Sequence, residues 1–516
     1  MQVLVLLTPA GFCAIARGFA PALWAALALA LAGCGGNSGA RAGAVVLSPP
    51  AGEANAQPTF HLAPVQLDEP SDLDADGSGS SAHLPPHTQA IPPALLGLDT
   101  AGLTPEAIAQ RLGAAGQFMN PDASSGGQTI TVFTPAQIRS AYELPALPAS
   151  TAKISATQVA SLGSGQTIYL IDAYDNPNAA SDLAIFNATF GLPTCTSVPI
   201  TPGTKLPLAA PQPEAGCTFS VAYVGESGLP AVTAPSYSAA WATEIAIDVQ
   251  WAHATAPLAR IVLLEAQGAA VTQLVAAIEL ASRMGPGIVS MSFGASEGSW
   301  ETSYDAIFAT AHNAYVASTG DSGAGVNWPS VSPNVLAVGG TTLTYTGTGS
   351  RSESAWSRTG GGLSAFEAEP SYQAAVSVPG DAKAGSGAHA MRGVADVSFN
   401  ADPNTGQYLV VTTPGARTAT WYCAGGTSLA APQWAGLLAI TNAQRTQADK
   451  LPLGLAQVPL YDNIGAVKGL YAGAFLDVTH GSDGRCAICS AGPGYDLPTG
   501  LGTPNATDLL GLLLAD

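Results

Sequence analysis

Beyond residue 131 the chain alternates short apolar runs with stretches of helical period. Residues 167–171, 261–264, 288–292, 314–318 and 335–338 are apolar runs, and 238–255, 271–283, 301–312 and 428–442 carry helical patterns between them. A strand without a polar face has no side to offer to water. Such strands separated by helices predict an α/β fold with a mostly parallel central sheet flanked by helices. No internal repeat is found. Residues 35–130 read differently, as a polar, Pro- and Gly-rich region with little period, expected to be poorly structured and to serve as a stalk or short pro-region. One short helix is predicted there, with Thr104 as N-cap, Pro105 in the first turn and Gly113 at its end. The run Asp72-x-Asp74-x-Asp76-Gly77 imitates half of an EF-hand loop, but its twelfth position is His83, so an acidic linker is the better reading.

Composition narrows the function classes. With 17 Lys and Arg against 36 Asp and Glu, the chain lacks the clustered cations that nucleic acid requires. The same surplus of carboxyls suits work in acid, where protonation relieves their repulsion. Only 10% of residues are charged, while Gly (58) and Pro (39) abound, as in a loop-rich exported enzyme.

The first residues read as an export signal. Residues 19–33 are almost wholly apolar, Arg17 precedes them, and the run ends Leu31-Ala32-Gly33-Cys34. This resembles the lipobox of bacterial lipoproteins and implies a lipidated Cys34 in the cell envelope, an ordinary signal peptide being the alternative. The run is short for a membrane span, and no other candidate follows. Export makes disulfides plausible, with Cys195–Cys217 and Cys486–Cys489 the natural local pairs and Cys423 left single. A zinc site on Cys486 and Cys489 lacks a second ligand pair.

Three segments carry candidate chemistry. In Ala424-Gly-Gly-Thr-Ser428-Leu-Ala-Ala-Pro432, the glycines permit a tight turn and Ser428 opens a buried helix, near unpaired N–H groups that could stabilise an oxyanion. In Trp241-Ala-Thr-Glu244-Ile-Ala-Ile-Asp248, two carboxylates four residues apart share one helical face, about 5–6 Å apart at Cβ. On so apolar a helix they are tolerable if they share a proton. Asp321, in Gly-Asp-Ser-Gly at the end of an apolar strand, can donate to an oxyanion only while protonated. None of the seven histidines sits in the sequence context of a Ser-His-Asp triad.

Together, in this order, these segments resemble the sedolisin (serine-carboxyl peptidase) family over about residues 131–516. Residues 134–142, Ser290-Met-Ser-Phe-Gly294, Gly360-Gly-Gly-Leu-Ser364 and Ala401-Asp-Pro-Asn-Thr-Gly406 agree with it. The resemblance implies a subtilisin-like fold and peptide-bond hydrolysis through an acyl-enzyme on Ser428. Glu244 would be the general base, Asp248 its orienting partner, Asp321 an oxyanion donor, and Asp172 a further supporting acid. It also implies one structural Ca²⁺ held by Asp477, Asp496 and the carbonyls of Val478, Gly492 and Gly494. The expected partners are polypeptides, and the expected state is a monomer. The pH optimum should lie at roughly 3–5, around the ordinary Glu pKa of about 4.3. Family members carry a longer folded prodomain than residues 35–130 offer. Two other readings stay open: a neutral Ser-His-Asp subtilase, and a silent surface lipoprotein that uses the fold for binding.

Overall fold

A computed structural model of the chain describes residues 54–71, 83–114, 128–148, 154–212, 216–380 and 390–516. The signal segment with Cys34, and the acidic run around Asp74, lie outside the described residues.

Eight parallel strands form the main sheet: β1 (Thr167–Ala173), β2 (Cys195–Ser197), β3 (Cys217–Val224), β4 (Arg260–Ala266), β5 (Gly287–Met291), β6 (Asn313–Ser318), β7 (Leu336–Thr344) and β8 (Val397–Asn400). Their spatial order is 2-3-4-1-5-6-7-8, with short antiparallel strands at Pro230–Ala231 and Ser352–Ala355. The predicted fold class is therefore what the chain adopts. Alternation along each strand splits the core in two. Ile168, Leu170, Ile261, Leu263, Ile288 and Val316 enter one apolar cluster, while Tyr169, Ile171, Val262, Leu264, Val289 and Ala317 enter the other. The first cluster also holds residues of helices α1 (Ala239–Thr255) and α3 (Thr427–Gln447), which pack on each other. The second is covered by α2 (Val271–Met284). The expected helix at 301–312 is a shorter 3₁₀ segment, Glu301–Phe308.

Both predicted cystine pairs form, Cys195–Cys217 and Cys486–Cys489, with Cys423 free and buried.

The expectation of a poorly structured region over 35–130 fails for its described parts. Residues 48–516 make one unit, and Phe60, Leu62, Val65, Leu67, Ile91, Leu95 and Ile108 sit in the first core cluster. His61–Leu62 pairs with strand Thr420–Gly425, which pairs in turn with Thr405–Val411; Thr129–Phe133 and His87–Ala90 complete this second sheet. The segment shows no period because it is pinned by pairing to distant strands rather than by a regular apolar face of its own. The predicted helix forms as Pro105–Ala114, with Ala107 N–H donating to Thr104 Oγ1 at 3.3 Å. Gly113 lies inside its last turn instead of ending it.

Candidate active site

Strand Thr420–Gly425 of the second sheet runs directly into α3 through Gly426, whose φ of 101° is open to glycine and strained for other residues. That turn sets Ser428 in the first turn of α3, facing α1. Ser428 Oγ lies 2.9 Å from Glu244 Oε2, 3.1 Å from the Ser292 carbonyl and 2.8 Å from Thr59 Oγ1. Within α3, Pro432 has no N–H to donate to the Ser428 carbonyl one turn back, and that carbonyl faces Ser292 Oγ at 3.4 Å.

Glu244 and Asp248 occupy one face of α1, as their spacing predicts, and both are fully buried. They share no recorded hydrogen bond. Asp248 Oδ1 accepts from Ser292 Oγ at 2.6 Å, while Asp248 Oδ2 and Glu244 Oε1 have no hydrogen-bond partner. Asp172, near the end of β1, is equally buried, with neither oxygen hydrogen-bonded. Burial, and then the charge of Asp248, push Glu244 and Asp172 well above the ordinary carboxylate range. Asp248 is raised to about 8 by burial, against the pull of the Ser292 hydroxyl. Three carboxyls in one dry space cannot all ionise, so the group retains protons over the whole acid range.

Asp321 follows β6. Its Oδ1 accepts Thr427 N–H at 2.8 Å and Thr427 Oγ1 at 2.7 Å, and Oδ2 is free of hydrogen bonds. Burial raises this carboxyl to about 7, the two Thr427 bonds opposing. His61 Nε2 stands 3.5 Å from Asp321 Oδ2, and its Nδ1 is 2.6 Å from Thr100 Oγ1. Burial, and then Arg358, depress His61 to about 3, so the ring is neutral at ordinary pH. No histidine among the described residues reaches Ser428, which leaves a Ser-His-Asp arrangement without its base.

The structure thus gathers Ser428, Glu244, Asp248, Asp321 and Asp172 around the carboxyl ends of β1, β5 and β6, where the strand order reverses. Sequence reasoning missed Ser292, Thr427, Thr59 and His61. Ser292 stood inside a run already singled out; Thr59 and His61 carried no signal at all.

A model of the subtilase family matches residues 234–450. Kumamolisin of Bacillus sp. (strain MN-32) is 30% identical over 513 residues, covering 92% of this chain and 79% of the relative. The chain belongs to the sedolisin family of serine-carboxyl peptidases. Sedolisin of Pseudomonas sp. (strain 101) is 35% identical over a shorter stretch, 34% of this chain and 28% of the relative. A solved structure of Pseudomonas sedolisin, complexed with two molecules of pseudo-iodotyrostatin, superposes with a TM-score of 0.55 at 24% identity. That alignment covers 75% of this chain and 99% of the solved one, and it bears on fold alone. As a sedolisin-family peptidase the chain acts on polypeptides, which removes the silent binding protein as a reading.

Away from the cleft, the predicted calcium ligands share one loop region. Asp477 accepts Gly494 N–H at 3.0 Å through Oδ2 and Tyr471 O–H at 3.0 Å through Oδ1. Asp496 accepts Gly492 N–H at 2.9 Å and Thr499 N–H at 2.8 Å, and is raised to about 6 by burial, with Asp477 adding to the shift. Among the described residues no donor is recorded on the carbonyls of Val478, Gly492 or Gly494. Two mutually repelling carboxylates beside three unclaimed carbonyls are an all-oxygen set that fits a hard divalent cation.

Proposed function

We propose that this sedolisin-family member is an exported peptidase working in acid, with Ser428 as nucleophile and Glu244 as general base. The observation that carries this is the 2.9 Å contact between Ser428 Oγ and Glu244 Oε2, with no histidine of the described residues hydrogen-bonded to that hydroxyl. Glu244 would take the hydroxyl proton as Ser428 attacks the peptide carbonyl, then return it to the leaving amine. Water would resolve the acyl-enzyme by the same route in reverse. Asp248, held by Ser292, and Asp172 would keep the protons of the cluster, leaving Glu244, whose carboxylate form the Ser428 hydroxyl favours, as the member that ionises. The oxyanion would meet the Ser428 N–H and a protonated Asp321 Oδ2.

A pH–rate profile of kcat/KM on a peptide substrate tests the reading, with Ser428→Ala and Glu244→Gln alongside. Each variant should lose at least roughly 10⁴-fold at every pH while melting like wild type. Normal turnover by a folded Glu244→Gln protein would dismiss Glu244 as the base.

The loop carrying Asp477 and Asp496 would bind one Ca²⁺ through those carboxylates and the carbonyls of Val478, Gly492 and Gly494; the ion supplies structural stability and no chemistry. Cys34 would anchor the chain to a bacterial membrane through lipid. Labelled palmitate should enter the wild type and not Cys34→Ala, and an unlabelled wild type would leave the signal an ordinary one.

A further inference from the structure

The buried carboxyls behind Ser428 do not end at Asp172. Asp172 on β1 and Glu265 on β4 are register partners in adjacent parallel strands, and Tyr223 on β3 stands opposite Glu265 in turn. All three lie on the side of the sheet that faces α1, because Leu170, Leu263 and Val221, each two residues earlier, belong to the first core cluster or pack against it. Neighbouring strands are about 4.8 Å apart, so the Asp172 and Glu265 side chains stand next to each other. Glu265 is fully buried.

Beyond Glu265 the row turns towards water. Asn176 N–H donates to Glu265 Oε1 at 3.0 Å, and the Asn176 side chain ties this loop to α1 by donating to the Ala242 carbonyl at 2.9 Å. Glu265 Oε2 has no N–H or O–H donor among the described residues, while the Asp175 carboxyl lies in hydrogen-bonding contact with the Glu265 carboxyl. Two carboxyls bond to each other only with a proton between them. Asp175, in the loop after β1, is partly exposed.

The other end of the row is closed. Ser428, Glu244, Asp248 and Asp172 are fully buried, and Thr59 lies over Ser428, its carbonyl accepting the Ser428 N–H at 3.0 Å. Among the described residues no cation pairs with Glu244, Asp248, Asp172, Glu265 or Asp175. Glu244 becomes a base only when this dry group gives up a proton, and a proton does not cross an apolar core as a free ion.

We infer that Glu265 and Asp175 form the route by which the catalytic carboxyls release and regain protons while the cleft is occupied, Glu265 as the buried link and Asp175 as the end in contact with water. This rests on the reading of Glu244 as the base. Ionised Asp175 takes the proton of Glu265 and passes it to water. The Glu265 carboxylate takes a proton from Asp172, and Asp172 is refilled from Glu244, which is left as the carboxylate facing the Ser428 hydroxyl. The reverse sequence restores the proton. No bond between heavy atoms changes, and one proton enters water for each charge left on Glu244. Neither Glu265 nor Asp175 touches the reacting atoms; both act through Glu244.

The acidities suit this direction. Burial holds Glu265 well above the ordinary carboxylate range, so it has a proton to pass on. Asp175 is also raised by burial, but the bond to Glu265 opposes the rise, which makes it the better seat for the charge. Tyr223, the remaining polar side chain of the row, is pushed up by burial and then by Asp175 and Glu265, so its hydroxyl stays protonated and takes no charge.

Full-length protein at about pH 4 is mixed rapidly with D₂O at matching acidity, and the carbonyl band of protonated carboxyls is followed by infrared absorption. The part of the band that Asp248→Asn removes reports the catalytic group. Wild type should exchange within the mixing time. Glu265→Gln keeps the acceptor for Asn176 N–H but cannot hand a proton on, so exchange should slow at least roughly tenfold, waiting on local opening of the fold. Asp175→Asn should slow it likewise, and Glu265→Asp should restore it. Wild-type exchange in Glu265→Gln overturns the inference, as does slow exchange in wild type itself. Equal slowing in Glu265→Asp would show a packing role and overturn it too, and fast exchange in Asp175→Asn would remove Asp175 as the exit. Should Glu265→Gln not fold, Asp175→Asn, at a partly exposed position, decides alone. None of these readouts needs turnover, so their failure leaves Glu244 standing as the base; a folded Glu244→Gln protein with normal turnover is what would dismiss that.

Discussion

Replacing Asp321 by Asn isolates the group proposed to set the alkaline limit of activity. Burial lifts this carboxyl from an ordinary value of 3.8 to about 7. At pH 5 an unshifted Asp would be over about 90% ionised, whereas one titrating at 7 is about 1% ionised. The raised value means that the proton on Oδ2 persists through the acid range and is lost as pH rises through about 7. Above that point the ionised carboxylate both stops donating and repels the oxyanion. Wild-type kcat/KM should then fall about tenfold per pH unit, leaving roughly a tenth of the plateau at pH 8. The burial of Asp321 thus moves the upper edge of activity above the range of roughly 3–5 suggested by an unperturbed Glu. The Thr427 N–H and hydroxyl both donate to Oδ1, which tells an Asn side chain how to sit: oxygen towards Thr427, NH₂ towards the oxyanion. Asp321→Asn should therefore keep its maximum within about tenfold of wild type, where Asp321→Ala, lacking any donor, should lose roughly 10²–10³. The assay is kcat/KM against pH for all three proteins. An Asp321→Asn profile whose alkaline limb keeps the wild-type midpoint would refute the assignment.

Chelation should lower the melting temperature of wild type and barely move Asp496→Ala; at a hundredfold excess of Ca²⁺ over Kd the bound ion adds about 2.7 kcal/mol, and equal responses would count against Asp496 as a ligand. Asp248 keeps its proton up to about 8 in the fold against about 3.9 unfolded, so its contribution is full below about 3.9 and is lost as pH rises towards 8. Urea unfolding at pH 4 and 7 should show a loss on the order of 4 kcal/mol from this group, which Asp248→Asn removes; an unchanged pH slope in the variant would refute it. His61 works in the opposite sense, because its depressed value of about 3 makes the folded form shed a proton that the unfolded chain binds below about 6.5. Its stability is complete above about 6.5 and declines on acidification, so His61→Gln should flatten the loss between pH 6.5 and 4 by about 3 kcal/mol, and an identical slope would remove His61 from the account.

The local chemistry of the site was legible in the chain itself. Glu244 and Asp248 lie four apart on a helix with apolar neighbours all round, a pattern that points to buried acids holding protons, although in the fold they bond to Ser428 and Ser292 rather than to each other. Gly425 and Gly426 before Ser428 announced a tight turn into a helix. The unbroken apolar strands announced a sheet covered on both faces, because no polar face was left for water. All of these are short-range patterns, set by helix and strand period or by the conformational freedom of glycine.

Tertiary structure alone decided which distant groups meet there. Strands β1 and β5 lie side by side only because the chain crosses over between them, and that crossover brings Asp172 and Ser292 to the carboxyls of α1. Asp172 ends an apolar strand and Ser292 stands in the run Ser290-Met-Ser-Phe-Gly294, but neither pattern says which distant groups the residue meets. The same holds for Thr59 and His61: their segment has no apolar period, since its order comes from hydrogen bonds to Ser292, Ser428 and Gly425 far along the chain. The raised carboxyls have the same origin. Desolvation depends on what packs around a group from every side, and only the completed core, with residues 54–61 laid across the cleft, removes water from Glu244, Asp248 and Asp321 together.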